Sequence, residues 1–324
     1  MAKPARILLV GAGQLGSRHL QGLCKIEYPS EITVVDPSAA SLALARARAE
    51  EVKEHQAEQS INYMDALPMS GSFNVAIVAT SATGRRRLVT DLVSGLEIEN
   101  LILEKVVFQH PDDFDPVGRL LTERSARTFV NCPRRLNVFY KKLRGDLLKN
   151  RPITMHVVGQ GWGLACNAVH FLDLFAYLSG SPASHVDNRG LLGGSRPAKR
   201  RGYRELYGTI GAHNEIGSTL TMTCLGDAYQ GVTVCVADGV SETLIHETRG
   251  RIESRDGNGD RGEDFRLEFQ SELTGSLVSE LLSSGNCSLT PYAESAEIHK
   301  PFLSAVLKHL NANQESEVNC CPIT

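Results

Sequence analysis

The sequence has no long hydrophobic run and no strong excess of charge of either sign. No stretch of about 18 consecutive apolar residues occurs, so no helix is predicted to span a membrane. The apolar run at residues 7–10 is too short for the core of a signal peptide, and we therefore expect a cytoplasmic location. A formal net charge of −3 and a charged fraction of 22% exclude a disordered chain and a general nucleic-acid binder.

The sequence also lacks any pair of cysteines with the C-x-x-C spacing of a zinc site. Free thiols that are buried as small hydrophobic side chains are expected at most of the eight cysteine positions, and no metal site is predicted. Cys320 and Cys321 are expected in a frayed C-terminal tail.

There is no internal repeat, and 324 residues are enough for two domains that each bury a core. In residues 1–131, short apolar strands alternate with helices, which is typical of a parallel sheet covered by helices on both faces. This alternation predicts an α/β fold with an N-terminal Rossmann domain, a doubly wound parallel sheet. The predicted strands are 6–10, 31–35, 74–79, 100–103 and 128–131, and the predicted helices are 15–25, 41–55, 85–95 and 111–125.

Residues 132–324 have a different pattern, in which β-branched segments follow one another with short turns between them. Consecutive strands of this kind predict an antiparallel sheet, and the region is expected to form an α/β domain that binds substrate and mediates oligomerisation. Residues 255–266 are rich in Gly and Asp and are predicted to be a loop. The predicted strands are 155–158, 203–210, 218–224, 231–237, 242–248 and 265–269, and the predicted helices are 134–149, 165–178, 271–282 and 291–311.

The sequence GAGQLG at residues 11–16 follows the first strand and opens the first helix. In this position Gly11 permits a tight turn, Gly13 allows the backbone to approach a pyrophosphate, and Gly16 allows the helix to pack against the strand. The helix N-terminus then offers N–H groups to the phosphates. We therefore predict a dinucleotide site that includes Gln14 and Leu15, whereas a glycine-rich turn without a ligand is the alternative.

Asp36 ends the second strand, about 20 residues beyond the glycines, where a carboxylate binds the ribose hydroxyls of NAD. It would repel a 2′-phosphate, so NAD is favoured over NADP. A helix-capping Asp before Pro37 is the alternative. Thr80 and Glu104, at the ends of two later strands, complete the predicted cofactor contacts.

Lys105 directly follows an apolar strand that ends at Glu104. Ligands of such sheets bind beyond the carboxyl ends of the strands, so this lysine is expected near the nicotinamide. Partial desolvation and a cationic ring would lower the pKa of its amine and favour proton transfer. An exposed Glu-Lys pair at a strand end is the alternative interpretation.

His170 and Asp173 stand three positions apart in a predicted helix, so they share one of its faces. His170 exchanges a proton near neutral pH, and Asp173 could orient its ring. The alternative is an ordinary core histidine.

In their order along the chain, these features resemble the glucose–fructose oxidoreductase/inositol dehydrogenase (Gfo/Idh/MocA) family over nearly the whole length. The similarity rests on GAGQLGSRH at residues 11–19, Glu104-Lys105, VNCPRR at 130–135, the helix with His170, and PFL at 301–303. Two positions depart from the family pattern: Val106 stands where proline usually follows the lysine, and Cys166 stands where many members have aspartate four residues before the histidine.

The resemblance implies a Rossmann domain joined to an α/β domain whose open antiparallel sheet often forms an oligomer interface. It also implies hydride transfer to or from a sugar, cyclitol or nucleotide sugar, with Lys105 and His170 as the proton-handling residues. Surface-polysaccharide synthesis is one pathway setting that it suggests. A catalytically weak NAD-binding sensor or scaffold of the same fold is the alternative.

A basic cluster follows the predicted catalytic helix. A solvated loop is one interpretation of this cluster, and a clamp for an anionic substrate, such as a nucleotide sugar, is the other. Its members are Arg196, Lys199, Arg200, Arg201 and Arg204.

Overall fold

The computed structural model describes residues 3–53, 57–147, 151–257, 259–313 and 317–324. These residues divide into two compact units. The first contains Met1–Phe108, Asp115–Asn131 and Glu268–Tyr292, and the second contains Gln109–Phe114, Cys132–Leu267 and Ala293–Thr324. Two segments depart from the expected border after Asn131: residues 109–114 belong to the second unit, and residues 268–292 belong to the first.

The first unit is built around a seven-stranded sheet in which strand order follows β17-β6-β5-β4-β1-β2-β3. Every neighbouring pair is parallel except β17 with β6. The strands are β1 (Ala5–Val10), β2 (Ser30–Val35), β3 (Gln59–Met64), β4 (Ser72–Val78), β5 (Glu97–Glu104), β6 (Arg127–Asn131) and β17 (Thr290–Pro291). The helices are α1 (Gly16–Leu23), α2 (Ala39–Glu50), α3 (Arg85–Gly95), α4 (Phe114–Glu123) and α7 (Gln270–Ser284).

This order confirms the predicted doubly wound sheet. Strands β3-β2-β1-β4-β5-β6 reproduce the arrangement in which the chain reverses direction across the sheet between β1 and β4. Ligands of such sheets bind beyond the carboxyl ends of the strands at this reversal. The inner strands are apolar on both faces, as Ile7, Leu8 and Leu9 of β1 show, since each is fully buried.

Helix α7 returns to the first unit from late in the sequence and packs against α1. The contact is close because glycines meet there: a Cβ on Gly275 would lie 2.6 Å from the carbonyl oxygen of Gly22. Small residues at a helix crossing let the two backbones approach, which is why α7 can lie directly on the helix that follows the glycine loop.

The second unit contains an eight-stranded sheet in the order β16-β15-β14-β13-β7-β12-β11-β8 and a two-stranded ribbon of β9 and β10. All neighbouring pairs in it are antiparallel except β7 with β12. The strands are β7 (Thr154–Gln160), β8 (His185–Asp187), β9 (Arg196–Pro197), β10 (Arg204–Glu205), β11 (Gly208–His213), β12 (Thr219–Cys224), β13 (Gly231–Ala237), β14 (Glu242–His246), β15 (Arg251–Asp256) and β16 (Gly259–Asp264). The helices are α5 (Val138–Asp146), α6 (Leu164–Ser179) and α8 (Tyr292–Ala312).

One face of this sheet carries the core of the unit. Met155, Val157 and Met222 are fully buried on that face, where α6 packs against β12. The residues between them along the strands are partly or largely exposed, so the sheet presents its other face outward. The predicted antiparallel sheet with one open face is therefore confirmed.

Several predicted elements were wrong in detail. The segment 255–266 is not a loop, because β15 and β16 form a hairpin whose cross-strand charges pair, as Arg255 does with Asp260 at 2.9 Å. Residues 265–269 form no strand, and β3 was missed because its alternating, half-exposed residues form no apolar run. The last helix begins at Tyr292, after Thr290 and Pro291 pair with β6. The ends of two predicted helices, His55 and Lys149, lie outside the described residues.

The C-terminal tail is also not frayed. Cys321 is fully buried, its N–H donates to the carbonyl of Gln109 at 2.8 Å, and Ile323 is 1% exposed. The cysteine thiols are free, as expected, and four of the eight are buried. In the part of the chain that is described, no helix is long and apolar enough to cross a membrane.

Candidate cofactor and proton-transfer residues

The glycine loop lies between β1 and α1, and its three glycines have different surroundings. Gly11 has φ of +95°, and a Cβ there would lie 2.9 Å from the backbone of Ala79. A Cβ on Gly16 would lie 1.8 Å from the carbonyl oxygen of Gly11. A Cβ on Gly13 would have nothing within 4 Å. The fold itself therefore requires glycine at 11 and 16, whereas at 13 glycine leaves an open space.

The backbone beside that space carries hydrogen-bond donors. Among the described residues, the N–H groups of Gly13, Gln14 and Leu15 have no hydrogen-bond acceptor. Arg48 bonds the loop and the first turn of α1, because its side chain donates to the Gln14 carbonyl at 2.8 Å and to Ser17 Oγ at 2.6 Å. The loop thus presents three N–H donors directly before α1, where the helix dipole has its positive end. This is the arrangement that binds phosphate groups.

Asp36 lies directly after β2 and next to the glycine loop. Its Oδ2 accepts from the N–H of Ala12 at 2.8 Å, and its Oδ1 accepts from the N–H of Ser38 at 2.9 Å. Asp36 does not cap α2, because Ser38 is the N-cap and its hydroxyl accepts from Ser41. A carboxylate accepts up to about four hydrogen bonds, so Asp36 keeps capacity for ribose hydroxyls.

Two arginines follow Asp36 in sequence, and both have partners within the protein. Arg48 binds the glycine loop, and the guanidinium of Arg46 lies 4.2 Å from the centre of the Tyr63 ring. The loop backbone therefore has two charged neighbours, Arg48 at the Gln14 carbonyl and Asp36 at the N–H of Ala12.

Thr80 and Lys105 lie beyond the carboxyl ends of β4 and β5, on the same edge of the sheet as the glycine loop, since β1, β4 and β5 are parallel neighbours. The hydroxyl of Thr80 is buried and has no hydrogen-bond partner among the described residues. Lys105 is half-buried, and its peptide bond to Val106 is cis. The structure thus brings these predicted residues together with Gly11 and Gly13 at one edge.

Glu104 is part of a buried polar network. Its Oε1 accepts hydrogen bonds from His19 Nε2 at 3.0 Å and Asn131 Nδ2 at 2.5 Å, while His19 Nδ1 lies 2.9 Å from the hydroxyl of Thr274. Burial by itself would raise the pKa of Glu104, but the hydrogen bond and charge of His19 and the hydrogen bond from Asn131 outweigh it and lower the pKa. This network joins α1, α7 and the strand that ends before Lys105.

His170 and Asp173 lie on α6 in the second unit. His170 is half-buried, while Asp173 is 1% exposed and receives two hydrogen bonds from Arg135, at 3.0 and 2.8 Å. Arg135 also bonds Glu294 at 3.0 Å. Desolvation would lower the pKa of Arg135, but the charge of Asp173 raises it. Both carboxylate oxygens of Asp173 thus bind a buried arginine, a partner that the sequence analysis did not foresee.

Glu205 is a carboxylate at the N-terminus of α6 that the sequence analysis missed. It is 7% exposed, and its Oε1 accepts from the N–H of Ala165 and, at 3.1 Å, from the N–H of Leu206. Desolvation raises its pKa, although these N–H donors oppose the shift. Near it, the Asn167 side chain donates to the carbonyl of Trp162 at 2.7 Å. No periodicity marks Glu205, because Ala165, its partner on α6, lies 40 positions earlier in the chain.

The basic cluster forms the β9–β10 ribbon and its connection. Arg196 pairs with Asp227 at 2.7 Å, and Lys199 lies 5.7 Å from the Tyr229 ring. Arg200 and Arg201 are exposed at the tip. Glu205 joins the ribbon to the first turn of α6, so the basic cluster lies near the N-terminal end of this helix. His170 is on the same helix.

No protein-family model matches this chain, and no curated protein matches it. Solved structures do share its fold. An oxidoreductase from Agrobacterium radiobacter, in complex with NAD+, L-tartaric acid and magnesium, has a TM-score of 0.70 at 14% identity, with coverage of 96% of this chain and 97% of that one.

Two further structures cover 97% of this chain and 100% of their own. UDP-N-acetylglucosamine 3-dehydrogenase GnnA from Acidithiobacillus ferrooxidans has a TM-score of 0.71 at 11% identity. The super-repressor mutant of Gal80p from Saccharomyces cerevisiae has a TM-score of 0.70 at 11% identity. The chain therefore has the fold of the Gfo/Idh/MocA oxidoreductases, and the resemblance noted in the sequence is confirmed at the level of the fold.

Proposed function

We propose that this protein is an NAD(P)-dependent oxidoreductase that transfers hydride between the nicotinamide and a hydroxyl or keto carbon of a sugar or nucleotide sugar. The observation that carries the proposal is the open space at Gly13, beside N–H donors that have no acceptor among the described residues. Neither the glycine nor the free donors are needed to build the loop, so a phosphate group accounts for both.

The residues at the carboxyl edge of the first sheet fit a dinucleotide. Gly11, Gly13, Gln14, Leu15 and Gly16 would hold the pyrophosphate through the backbone. Asp36, Thr80 and Glu104 complete the proposed cofactor set, in which Asp36 would accept the ribose hydroxyls and Glu104 would act from within its network with His19. NAD is the preferred form, because Asp36 would repel a 2′-phosphate and both nearby arginines have other partners.

Cofactor choice gives a direct test. NADH should bind more tightly than NADPH in a fluorescence titration, and Asp36→Ala should narrow the difference. Asp91→Ala, a change at an exposed position of α3 in the same unit, is the matched control and should leave both affinities unchanged. Tighter binding of NADPH by the wild type would contradict the role given to Asp36.

The bound nicotinamide would supply the hydride acceptor or donor. The chain's own residues would handle the proton: Lys105 and His170 are the proposed acid–base groups, and an amine and an imidazole can each hold a proton near neutral pH. Asp173 is the third proposed residue. We propose that, through its bonds to Arg135, it would act by fixing the third turn of α6, the turn after His170.

The proton-transfer roles are tested by turnover with a panel of sugars and nucleotide sugars. Lys105→Met and His170→Ala should each lower kcat by about 100-fold or more, the scale of a lost general acid–base group. NADH affinity should stay within a factor of about two, because neither residue belongs to the proposed phosphate or ribose contacts. Lys141→Met and His185→Ala change exposed residues and should retain wild-type turnover.

A sensor or scaffold that binds NAD without efficient turnover is the second candidate. It is favoured by one observation: the fold matches a Saccharomyces cerevisiae repressor as well as it matches dehydrogenases. NADH binding without turnover of any tested sugar, in either direction, would support this candidate over the enzyme.

For the substrate itself, we propose an anionic molecule such as a nucleotide sugar. The exposed Arg200 and Arg201 at the tip of the ribbon support this proposal, because the planar guanidinium binds phosphate oxygens in pairs. Changing both to Ala should raise KM more than it lowers kcat, and KM of the wild type should rise with salt. An Arg119→Ala/Arg124→Ala double variant, at exposed positions of the first unit, is the control. Equal reaction of neutral and nucleotide-linked sugars in all three proteins would refute the proposal.

We further propose a cytoplasmic homo-oligomer, a dimer or tetramer, that acts in surface-polysaccharide synthesis. The open face of the eight-stranded sheet supports the oligomer, because Val158 on the inner strand β7 is 51% exposed there. Val158→Glu should lower the mass measured by light scattering, whereas Val240→Glu, in a turn, should not. An unchanged mass for Val158→Glu would argue against this interface.

A further inference from the structure

Arg85 is the first residue of α3 and one of the largest fully buried side chains, with 1% of its surface exposed. A guanidinium is always charged and is rarely buried without hydrogen bonds that offset its desolvation. Its position is therefore maintained by specific acceptors.

Those acceptors are four backbone carbonyls. The two N–H groups of Arg85 Nη1 donate to the carbonyls of Glu104 at 2.5 Å and Val106 at 2.5 Å, and one of them is shared with the carbonyl of Val107 at 3.2 Å; Nη2 donates to the carbonyl of Thr80. Two of the four, those of Val106 and Val107, lie in the segment that directly follows β5. The third belongs to Glu104, the last residue of β5, and the fourth, that of Thr80, follows β4.

The carbonyls of Glu104 and Val106 lie on either side of Lys105 in the chain. The carbonyl of Glu104 belongs to the peptide group that joins Glu104 to Lys105, and the carbonyl of Val106 belongs to the peptide group that joins Val106 to Val107, one residue after Lys105. Residues 105–108 form neither helix nor strand, so no sheet ladder holds their carbonyls. One planar guanidinium therefore fixes the backbone on both sides of Lys105.

We propose that Arg85 is a positioning residue, whose guanidinium sets the direction in which the amine of Lys105 points. This inference rests on the proton-transfer role proposed for Lys105. Because Arg85 also bonds the Thr80 carbonyl, it fixes the segments after β4 and β5 relative to each other. A misplacement of about 1 Å at a reacting group can lower a rate by about 100-fold, so a contact that touches no substrate can still control turnover.

The test compares Arg85→Lys, which keeps the charge but loses the planar fork, with Arg85→Ala and with Arg87→Met. Arg87 lies on the same helix and its side chain is 89% exposed, so its replacement is the matched control. Three measurements are made: amide hydrogen exchange of residues 105–108, acetic anhydride labelling of the Lys105 amine as a function of pH by mass spectrometry, and kcat with KM and NADH affinity.

In Arg85→Lys we expect exchange in residues 105–108 to be about tenfold faster or more, with β13 of the second unit unchanged, since the carbonyls lose their common donor. Labelling of Lys105 should change in rate and pH dependence, while exposed Lys141 labels as before. kcat should fall at least about tenfold with little change in KM or NADH affinity. In Arg85→Ala, added ethylguanidinium should restore Lys105 labelling and part of kcat.

Wild-type exchange and labelling in folded Arg85→Lys would overturn the proposal. It would also fail if neither variant folds and guanidinium does not help, because Arg85 would then be required for folding rather than for positioning. Exchange and labelling report on Lys105 without any substrate. Absence of turnover in the wild type would therefore refute the proposed function and leave the test of Arg85 decisive.

Discussion

Replacement of the three loop glycines by alanine should separate the residues that build the loop from the residue that admits a ligand. Gly13→Ala places a methyl group in a space where, apart from Gly13 and its two chain neighbours, no atom of the described residues lies within 4 Å, and Gly13 is not among the glycines with positive φ. The variant should therefore fold, and the loss of backbone freedom in the unfolded chain should add about 0.4–1 kcal/mol to its stability.

The same methyl group lies where the pyrophosphate is proposed to approach the backbone. We expect NADH affinity to fall by about 100-fold or more, which corresponds to about 2.7 kcal/mol. Gly16→Ala should behave in the opposite way, because its Cβ would lie 1.8 Å from the carbonyl oxygen of Gly11. The backbone must move, and overpacking of this kind costs about 1–3 kcal/mol or more.

The assays are chemical denaturation for stability and fluorescence titration for NADH. Gly95→Ala is the control, because Gly95 is exposed at the end of α3 and an added Cβ has nothing within 4 Å. A folded Gly13→Ala variant that binds NADH as tightly as the wild type would refute the reasoning, since the open space would then serve no ligand.

Three further predictions concern buried charges. The pKa of Glu205 is raised in the folded protein, so the stabilisation linked to its protonation is complete below the unfolded-state pKa and is lost as pH rises through the folded-state pKa. Glu205→Gln keeps an oxygen that can accept both N–H bonds, so the variant should be more stable than the wild type at pH 7. Urea unfolding should show this difference in stability shrinking toward pH 4. The pKa of Glu104 is lowered in the folded protein, so the stabilisation linked to its ionisation is present above the ordinary pKa of 4.5 and is lost as pH falls. In Glu104→Gln, the free energy of unfolding should therefore fall less steeply at acidic pH than in the wild type. An unchanged pH dependence would argue against the His19 network. Asp173→Ala leaves Arg135 without its buried partner and should lower the free energy of unfolding by about 3–5 kcal/mol, whereas Asp146→Ala at an exposed position should change it by less than about 0.5 kcal/mol.

Local patterns were sufficient for the glycine loop. The residues of a strand, a tight turn and the first turn of a helix are adjacent in sequence, so the spacing at residues 11–16 encodes their geometry directly. The same applies to Lys105, whose place after β5 follows from an apolar run that ends in charge. Buried strands and helix periodicity likewise gave the class of both sheets.

Long-range partners could not be obtained this way. Nothing near Glu104 in sequence indicates His19, 85 positions earlier, and nothing near α1 indicates that α7 would pack on it through Gly22 and Gly275. The hairpin at residues 251–264 was missed because its Gly and Asp residues are typical of turns, and the sequence alone does not show that its charged residues pair across two strands.

The sequence by itself determined the class of fold and the glycine loop, because each depends on neighbours within a few positions, and the family resemblance implied Lys105 and His170 as proton-handling candidates. Only the tertiary structure decided that Asp173 binds Arg135, that Glu205 meets the start of α6, and that Arg85 donates to carbonyls before and after Lys105 and to the carbonyl of Thr80. The physical reason is that a buried charge must find its partners wherever the folded chain brings them, and those partners follow no sequence period.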